Sequence, residues 1–306
     1  MEYIKIPKTD LNVSAITLGT WVFGGESWGG AKDEESIQAV HQAIECGINT
    51  IDTAPIYGDG HSEEIVGKAI KNRRDQVILA TKCGLIKKGK QVLIDLSPAS
   101  VQKEIDDSLR RLNVDQIDLY QCHWPDKNTP IQETMETLLA LKDKKKIRYI
   151  GVSNFDLNLL KESRKNADVV TQQVQYSMLE RSIEKDILPY CQKQEIGILT
   201  YGVLAGGILS GKYAQEKNFQ GSDARSFLYP YYRGEKFIQT KACVDAIRKI
   251  GKPPYETAIN WVRQQPGVTS VIVGCRNAEQ VRMNAQAAQW TLSEDQIQLL
   301  SQFKFS

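Results

Sequence analysis

The runs Val77-Ile78-Leu79-Ala80-Thr81-Lys82 and Ile117-Asp118-Leu119-Tyr120-Gln121, with Ser97-Pro98 between them, decide the fold. The two apolar, β-branched runs read as buried strands. Ser97 reads as a helix N-cap, with proline at the first helical position behind it. Val101, Ile105, Leu109 and Leu112 then recur on one helical face. A strand, an amphipathic helix and a second strand form one crossover unit, which is how parallel strands are joined.

The same alternation extends in both directions. Further strands are expected at Ile16–Gly19, Thr50–Thr53, Ile147–Val152, Val169–Gln173, Ile196–Tyr201 and Ser270–Val273. Asp33 is expected to cap a helix that turns Ile37, Val40 and Ile44 inward and stops at Gly47. Ser62 is expected to cap a helix carrying Ile65 and Ala69. Lys142-Asp143-Lys144-Lys145-Lys146 reads as the solvated last turn of another. Eight strands alternating with helices imply an α/β fold, a (β/α)8 TIM barrel in a single domain spanning residues 1–306. A doubly wound open sheet is the competing arrangement. No strand is followed by its GxGxxG phosphate turn; Gly58-Asp59-Gly60 opens like one, but Glu63 stands where the third glycine belongs. Glu2–Ile6 and Leu11–Ala15 alternate around Lys8-Thr9-Asp10 and read as an N-terminal β-hairpin outside the barrel, at its floor. Gly202–Glu235, rich in Gly, Tyr and Arg, is expected as a long loop at the C-terminal face.

Composition excludes several classes. Apolar residues at 41% and charged residues at 25% suit a globular domain, not a disordered or fibrous chain. A net charge of +2 points neither to nucleic acid nor to an anionic membrane. No apolar run approaches the ~20 residues of a bilayer span, and Met1-Glu2-Tyr3-Ile4-Lys5 starts no signal peptide, so a cytoplasmic location is expected. Six cysteines without a CxxC read as reduced thiols. The three histidines, His41, His61 and His123, have no metal-ligand spacing.

In a barrel the chemistry belongs at the C-terminal strand ends. The second strand runs out through Asp52 to Tyr57, the third ends at Lys82, and the fourth at His123. A tyrosine is a poor proton donor or base near neutrality unless its anion is stabilised. A neighbouring ammonium is expected to lower its pKa, an aspartate to hold the ammonium, and a neutral imidazole to bond a carbonyl oxygen as it gains charge. Any one of these residues alone has a structural reading; four on one rim suggest proton transfer during carbonyl reduction.

Asp52, Tyr57, Lys82 and His123 in this order resemble the catalytic tetrad of the aldo-keto reductases. The contexts agree: Asp52-Thr53-Ala54 with Ser62-Glu63, Leu119-Tyr120-Gln121-Cys122-His123-Trp124, Gly151-Val152-Ser153-Asn154-Phe155, Gln173-Val174-Gln175-Tyr176, Gly206–Tyr213 and Val273-Gly274-Cys275-Arg276-Asn277. His123-Trp124-Pro125-Asp126 and Gly19-Thr20-Trp21 look closest to the bacterial general-stress and inositol-operon branch. The resemblance implies a nicotinamide cofactor lying extended across the barrel mouth. It implies that Ser153, Asn154 and Gln173 hold the carboxamide and Tyr201 stacks on the ring. Leu209, Ser210, Gly211 and Lys212 would line the pyrophosphate, with Gly274, Arg276, Gln280 and Asn284 around the adenosine. Thr20, Trp21, Asp52, Gly202, Leu204 and Gly206 complete the implied cofactor set. Arginine suits a ribose 2′-phosphate, so NADPH is expected over NADH. Gly206–Tyr213 is one residue from a Walker A loop, but Tyr213 replaces the small hydroxyl that reaches Mg²⁺.

The implied activity is reversible reduction of aldehydes or ketones, with a small-molecule carbonyl partner. The alternative is a cofactor-binding sensing partner, as in the channel β-subunits that resemble the same family. Trp21, Trp124, Tyr229, Tyr231 and Tyr232 are candidate pocket walls. The chain stops at Ser306, soon after the helical pattern Glu294–Phe303, so a wide pocket is expected. Cys83, Cys122 and Cys275, next to Lys82, His123 and Arg276, are either inert buried thiols or thiols activated by those neighbours.

Overall fold

The computed structural model describes residues 1–25, 28–89, 91–221 and 223–303. The strands in chain order are β1 (Tyr3–Lys5), β2 (Asn12–Ser14), β3 (Ile16–Gly19), β4 (Thr50–Asp52), β5 (Ile78–Cys83), β6 (Leu85–Lys88), β7 (Gln91–Ile94), β8 (Ile117–Cys122), β9 (Ile147–Ser153), β10 (Val169–Gln175), β11 (Gly197–Tyr201) and β12 (Val268–Gly274). Eight of them close into one parallel barrel: β3, β4, β5, β8, β9, β10, β11 and β12, with β12 returning to β3. They are the eight strands expected, with ends shifted by a residue or two.

Register carries the site. Asp52 lies opposite Ala80, two residues before Lys82 on β5, and Lys82 lies opposite Gln121 on β8. Ser153 on β9 faces Gln173 on β10. Functional side chains of neighbouring strands are therefore delivered to one rim.

Helices α1 (Asp33–Glu45), α2 (His61–Ile70), α3 (Pro98–Leu112), α4 (Ile131–Asp143) and α5 (Leu157–Asn166) follow the first five barrel strands. Their apolar faces and the outer faces of the strands form the main core. Ser97 caps α3, its Oγ accepting from the Ser100 amide, as expected. A second, smaller core fills the barrel itself. Ile6, Leu11 and Val13 of the N-terminal hairpin β1–β2 pack there against Ala80, Leu119, Val170, Leu199 and Ile272. The hairpin closes the barrel floor.

Three local expectations are corrected. Asp33 is the first residue of α1 and not its cap; its Oδ1 pairs with His61 Nε2 at 2.8 Å, and the acidic first turn Asp33-Glu34-Glu35 complements the helix dipole instead. Ser62 lies inside α2, which starts after Gly60 at φ +94°. Its hydroxyl is drawn instead to Thr20, whose carbonyl and Oγ1 both lie at 2.9 Å. The lysine run straddles the end of α4, with Lys145 left-handed at φ +58°. The β6–β7 hairpin was not anticipated, and the long loop after β11 contains short helical turns at Ala205–Ser210, Arg225–Leu228 and Pro230–Tyr232. Among the described residues no helix is long and apolar enough to cross a membrane.

Ile6 is fully buried in the floor. Ile6→Ala should destabilise the protein by about 2–5 kcal/mol, the range for emptying a buried aliphatic site. A urea unfolding midpoint unchanged from wild type would show that the hairpin does not seal the barrel.

Candidate active site

Beyond β4 the chain turns sharply. The Thr53 amide donates to Ala80 O at 2.9 Å, and the Tyr57 amide to Ala54 O at 3.1 Å. Gly58 (φ +65°) then passes Gly24 so closely that a Cβ on Gly24 would lie 2.5 Å from the Gly58 nitrogen. Only glycines permit that backbone approach, and it fixes where Tyr57 points. The Tyr57 ring stacks on Trp21, with centroids 5.7 Å apart, and meets His123 edge-on at 5.9 Å.

The Lys82 side chain is fully buried. Its Nζ donates to Asp52 Oδ2 at 2.6 Å and to the Thr53 carbonyl at 3.0 Å, and lies 3.3 Å from the Tyr57 hydroxyl. Asp52 Oδ1 accepts from Gln173 Nε2 at 2.8 Å and from Gln121 Nε2 at 3.3 Å. Each polar atom of the ion pair thus has a partner, which a buried charge requires.

Burial pushes the Tyr57 phenol well above its usual pKa, and the Asp52 charge adds to the rise. The expected net lowering is corrected: the Lys82 ammonium does not outweigh burial and the Asp52 charge. Asp52 sits closer to the ammonium than the phenol does and offsets its charge, and desolvation of the phenolate dominates. Burial draws the Lys82 ammonium down, with Asp52 opposing. Burial, then Lys82, hold His123 well below the usual imidazole range, so the ring is neutral. The set offers a protonated phenol and a neutral imidazole side by side.

A second network adjoins the first. Ser153 Oγ donates to the Gln173 carbonyl at 3.0 Å. Asn154, left-handed at φ +61°, donates from Nδ2 to the His123 carbonyl and to Ser153 Oγ, both at 3.0 Å. The Tyr201 hydroxyl donates to Asn154 Oδ1 at 2.8 Å. Ser153, Asn154, Gln173 and Tyr201 are therefore joined to the Asp52–Lys82 pair. Thr20 is buried, its Oγ1 donating to the Asp52 carbonyl at 3.0 Å.

The remaining candidates occupy the rims. In the loop after β11, Gly202, Gly206, Gly207 and Gly211 all have positive φ, at +70°, +72°, +99° and +78°. Leu204 is half-buried, and the Leu209 side chain is buried in the core, so only its backbone belongs to the turn. Ser210 Oγ donates to the Gly207 carbonyl, and the Lys212 ammonium lies over the Tyr213 ring. At the end of β12, a Cβ on Gly274 would meet nothing closer than Val22 Cγ1 at 3.7 Å. The Arg276 amide donates to Gln280 Oε1 at 2.9 Å, and its guanidinium to the Trp28 carbonyl. Asn284 Nδ2 donates to Cys275 Sγ at 3.2 Å. Bare glycine backbone at both rims and an amide–hydroxyl cluster between them fit an extended dinucleotide: the donors and acceptors can pair with a carboxamide. Among the described residues no group of His, Cys, Asp and Glu is placed to hold a metal ion.

Sequence reasoning missed Trp28, whose ring meets Trp21 edge-on at 5.3 Å and Tyr229 at 6.4 Å. It also assigned no role to Gln121. Gln121 meets Asp52 and Trp28 meets Tyr229 across long stretches of chain, which no local pattern signals.

A closed parallel barrel with a buried Asp–Lys–Tyr set and a neutral histidine at its C-terminal mouth defines a class of barrel proteins. Residues 15–304 match the aldo/keto reductase family, and the chain belongs to it. It is 42% identical to the aldo-keto reductase YhdN of Bacillus subtilis (strain 168), over 97% of this chain and 92% of that one. It is 34% identical to the NADH-specific methylglyoxal reductase of Escherichia coli (strain K12), over 96% and 95%. The structure of a glycerol dehydrogenase from Gluconobacter oxydans superposes with a TM-score of 0.91 at 39% identity, over 99% of this chain and 94% of that one. An aldo/keto reductase from Klebsiella pneumoniae in complex with NADP and acetate superposes at 0.79 and 29%, over 99% and 95%.

Cys83 and Cys275, beside Lys82 and Arg276, are not activated by them: burial, and for Cys83 first of all the neighbouring Cys122, raises both thiols. Burial pushes the Cys275 thiol up to about 12, and likewise Cys191 and Cys243. Cys46 alone of the six is partly exposed. A native thiol titration should therefore label Cys46 first and leave the others slow, since the thiolate is the nucleophile. Fast labelling of Cys275 in peptide mapping would contradict the burial.

Proposed function

We propose that the protein is an NADPH-dependent oxidoreductase that reduces aldehydes or ketones to alcohols, reversibly. One observation carries the reading: a phenol hydroxyl 3.3 Å from a buried ammonium that is itself held at 2.6 Å by a carboxylate, at the barrel mouth. A reduced nicotinamide, when bound, would supply the hydride that the carbonyl carbon needs. Tyr57 donates its proton to the oxygen. The phenol is protonated near neutrality, so it has the proton to give. Lys82 orients the hydroxyl, and Asp52 keeps the ammonium charged. His123, neutral, hydrogen-bonds the carbonyl oxygen as it gains charge.

Ser153, Asn154 and Gln173 would hold the carboxamide, with Tyr201 against the ring. Gly202, Leu204, Gly206 and the backbone of Leu209, with Ser210, Gly211 and Lys212, would follow the pyrophosphate. Gly274, Arg276, Gln280 and Asn284 would surround the adenosine, and Trp21 would bound the substrate side. Arg276 supports NADPH, because a guanidinium can pair bidentately with a 2′-phosphate. The NADP complex of the Klebsiella relative is consistent with this, whereas the E. coli relative is named NADH-specific. Names among the relatives point to small carbonyl and polyol substrates.

Purified protein should oxidise NADPH in the presence of aldehydes. Tyr57→Phe keeps the ring packing, so kcat should fall at least about a hundredfold while NADPH affinity changes less than about threefold. Lys82→Met should do similar damage, because Asp52 is left facing the phenol uncompensated and makes it a weaker acid. Near wild-type turnover in Tyr57→Phe, with chemistry rate-limiting, would remove the tyrosine from the mechanism.

Fluorescence titration gives the cofactor preference separately. NADPH should bind at least about tenfold tighter than NADH, and Arg276→Ala should erase most of that gap. Equal affinities in wild type would end the NADPH assignment while leaving the chemistry intact.

A further inference from the structure

Glu63 makes two contacts that the chemistry above does not use. Its Oε1 accepts from Thr81 Oγ1 at 2.6 Å, and its Oε2 accepts from Arg111 Nε at 2.7 Å. The carboxylate is fully buried, and the Arg111 side chain nearly so. Three elements meet on it. Thr81 immediately precedes Lys82 on β5. Arg111 lies in the last turn of α3 and packs so tightly on Gly60 that a Cβ there would lie 2.6 Å from Arg111 Cδ. Glu63 itself opens α2 beside Ser62, whose amide donates to the Tyr57 carbonyl at 3.1 Å. The turn that holds Tyr57 and the strand that holds Lys82 are thus tied through one side chain.

An ion pair buried behind a barrel wall is weak evidence for stability, because apolar residues of similar volume often serve as well there. Directional bonds to two different elements do what apolar packing cannot. They fix distance and orientation.

We propose that Glu63 is a positioning residue, which through Thr81 and Arg111 fixes the geometry and charge balance of the Lys82–Tyr57 pair. The proposal rests on the roles given to Tyr57 and Lys82 above. Lys82 is faced by Asp52 from β4, Tyr57 from the next turn, His123 from beyond β8 and, at longer range, Glu63 from α2. Burial draws the ammonium down; Asp52 and then the Glu63 charge oppose this. The Glu63 charge also reaches Glu104 on α3, which burial pushes up to about 7, and Tyr120 on β8, which burial raises well above its usual range.

The test is steady-state kinetics of the full chain with NADPH and an aldehyde, for wild type, Glu63→Gln, Glu63→Asp, Thr81→Val and Tyr57→Phe, with NADPH affinity and melting temperature alongside. Glu63→Gln should lower kcat about tenfold while NADPH affinity stays within about threefold. Its alkaline pH limb should move to lower pH, because removing a negative charge eases loss of the proton from Lys82 and from Tyr57. Glu63→Asp should recover part of the rate. Thr81→Val keeps the ion pair, so it should lose rate with the limb in place. A folded Glu63→Gln with wild-type kcat and pH profile overturns the proposal. Should that variant fail to fold, an unchanged kcat in Thr81→Val overturns it equally. Silent Glu63 variants beside an inactive Tyr57→Phe overturn this proposal alone; an active Tyr57→Phe overturns the site reading and this one with it.

Discussion

A lysine ammonium without access to water is the constraint on which the site depends. Desolvating such a charge costs several kcal/mol even after relaxation. The Asp52 carboxylate, the Thr53 carbonyl and the Tyr57 hydroxyl surround Lys82 Nζ. Asp52 in turn needs Gln173 and Gln121 on its other oxygen. The partners come from β4, β8, β10 and the turn after β4, so the pair is satisfied only when those strands hold their register. A slip of one residue would turn Lys82 to the outer face of β5. The barrel supplies geometry to the charge, and the charge makes that geometry specific.

The electrostatics divide the labour. One buried environment raises the phenol and lowers the imidazole, because in each case it disfavours the ionised form. The only ions retained among the four groups are the two that neutralise each other. A phenol and an imidazole that both stay uncharged can present a donor to an oxygen without first expelling a counter-ion. That is the preorganisation expected where negative charge develops on an oxygen.

Most of the fold was legible in the sequence because parallel strands buried on both faces read as continuous apolar runs. The runs of β5 and β12 show it plainly, whereas β4, only Thr50-Ile51-Asp52, is placed by the alternation with helices around it. The β6–β7 hairpin escaped because Val92, Leu93 and Ile94 look like core yet are 53%, 41% and 40% exposed. Ser62 misled because capping rules are local, whereas its hydroxyl answers to Thr20, far away in sequence. The tetrad was legible as an ordered set of residue types at strand ends. The effect of Lys82 on Tyr57 was not, because spacing does not reveal that Asp52 lies closer to the ammonium than the phenol does. Trp28 shows the same limit: its partners Trp21, Tyr229 and Arg276 come from three separate segments.

Closure of the barrel has a consequence for how the chain is made. β3, near the start, finds its second neighbour only in β12, with Ile16 opposite Val271 and Gly19 opposite Gly274. During synthesis the first barrel strand therefore waits with one unsatisfied edge until nearly the whole polypeptide has emerged. Such late, long-range pairing is slow and leaves intermediates open to edge-to-edge association. A nascent chain arrested between β11 and β12 lacks the strand that joins β11 to β3, so both margins of its sheet stay bare. Its dependence on chaperones should be greatest in the interval just before the last strand is translated.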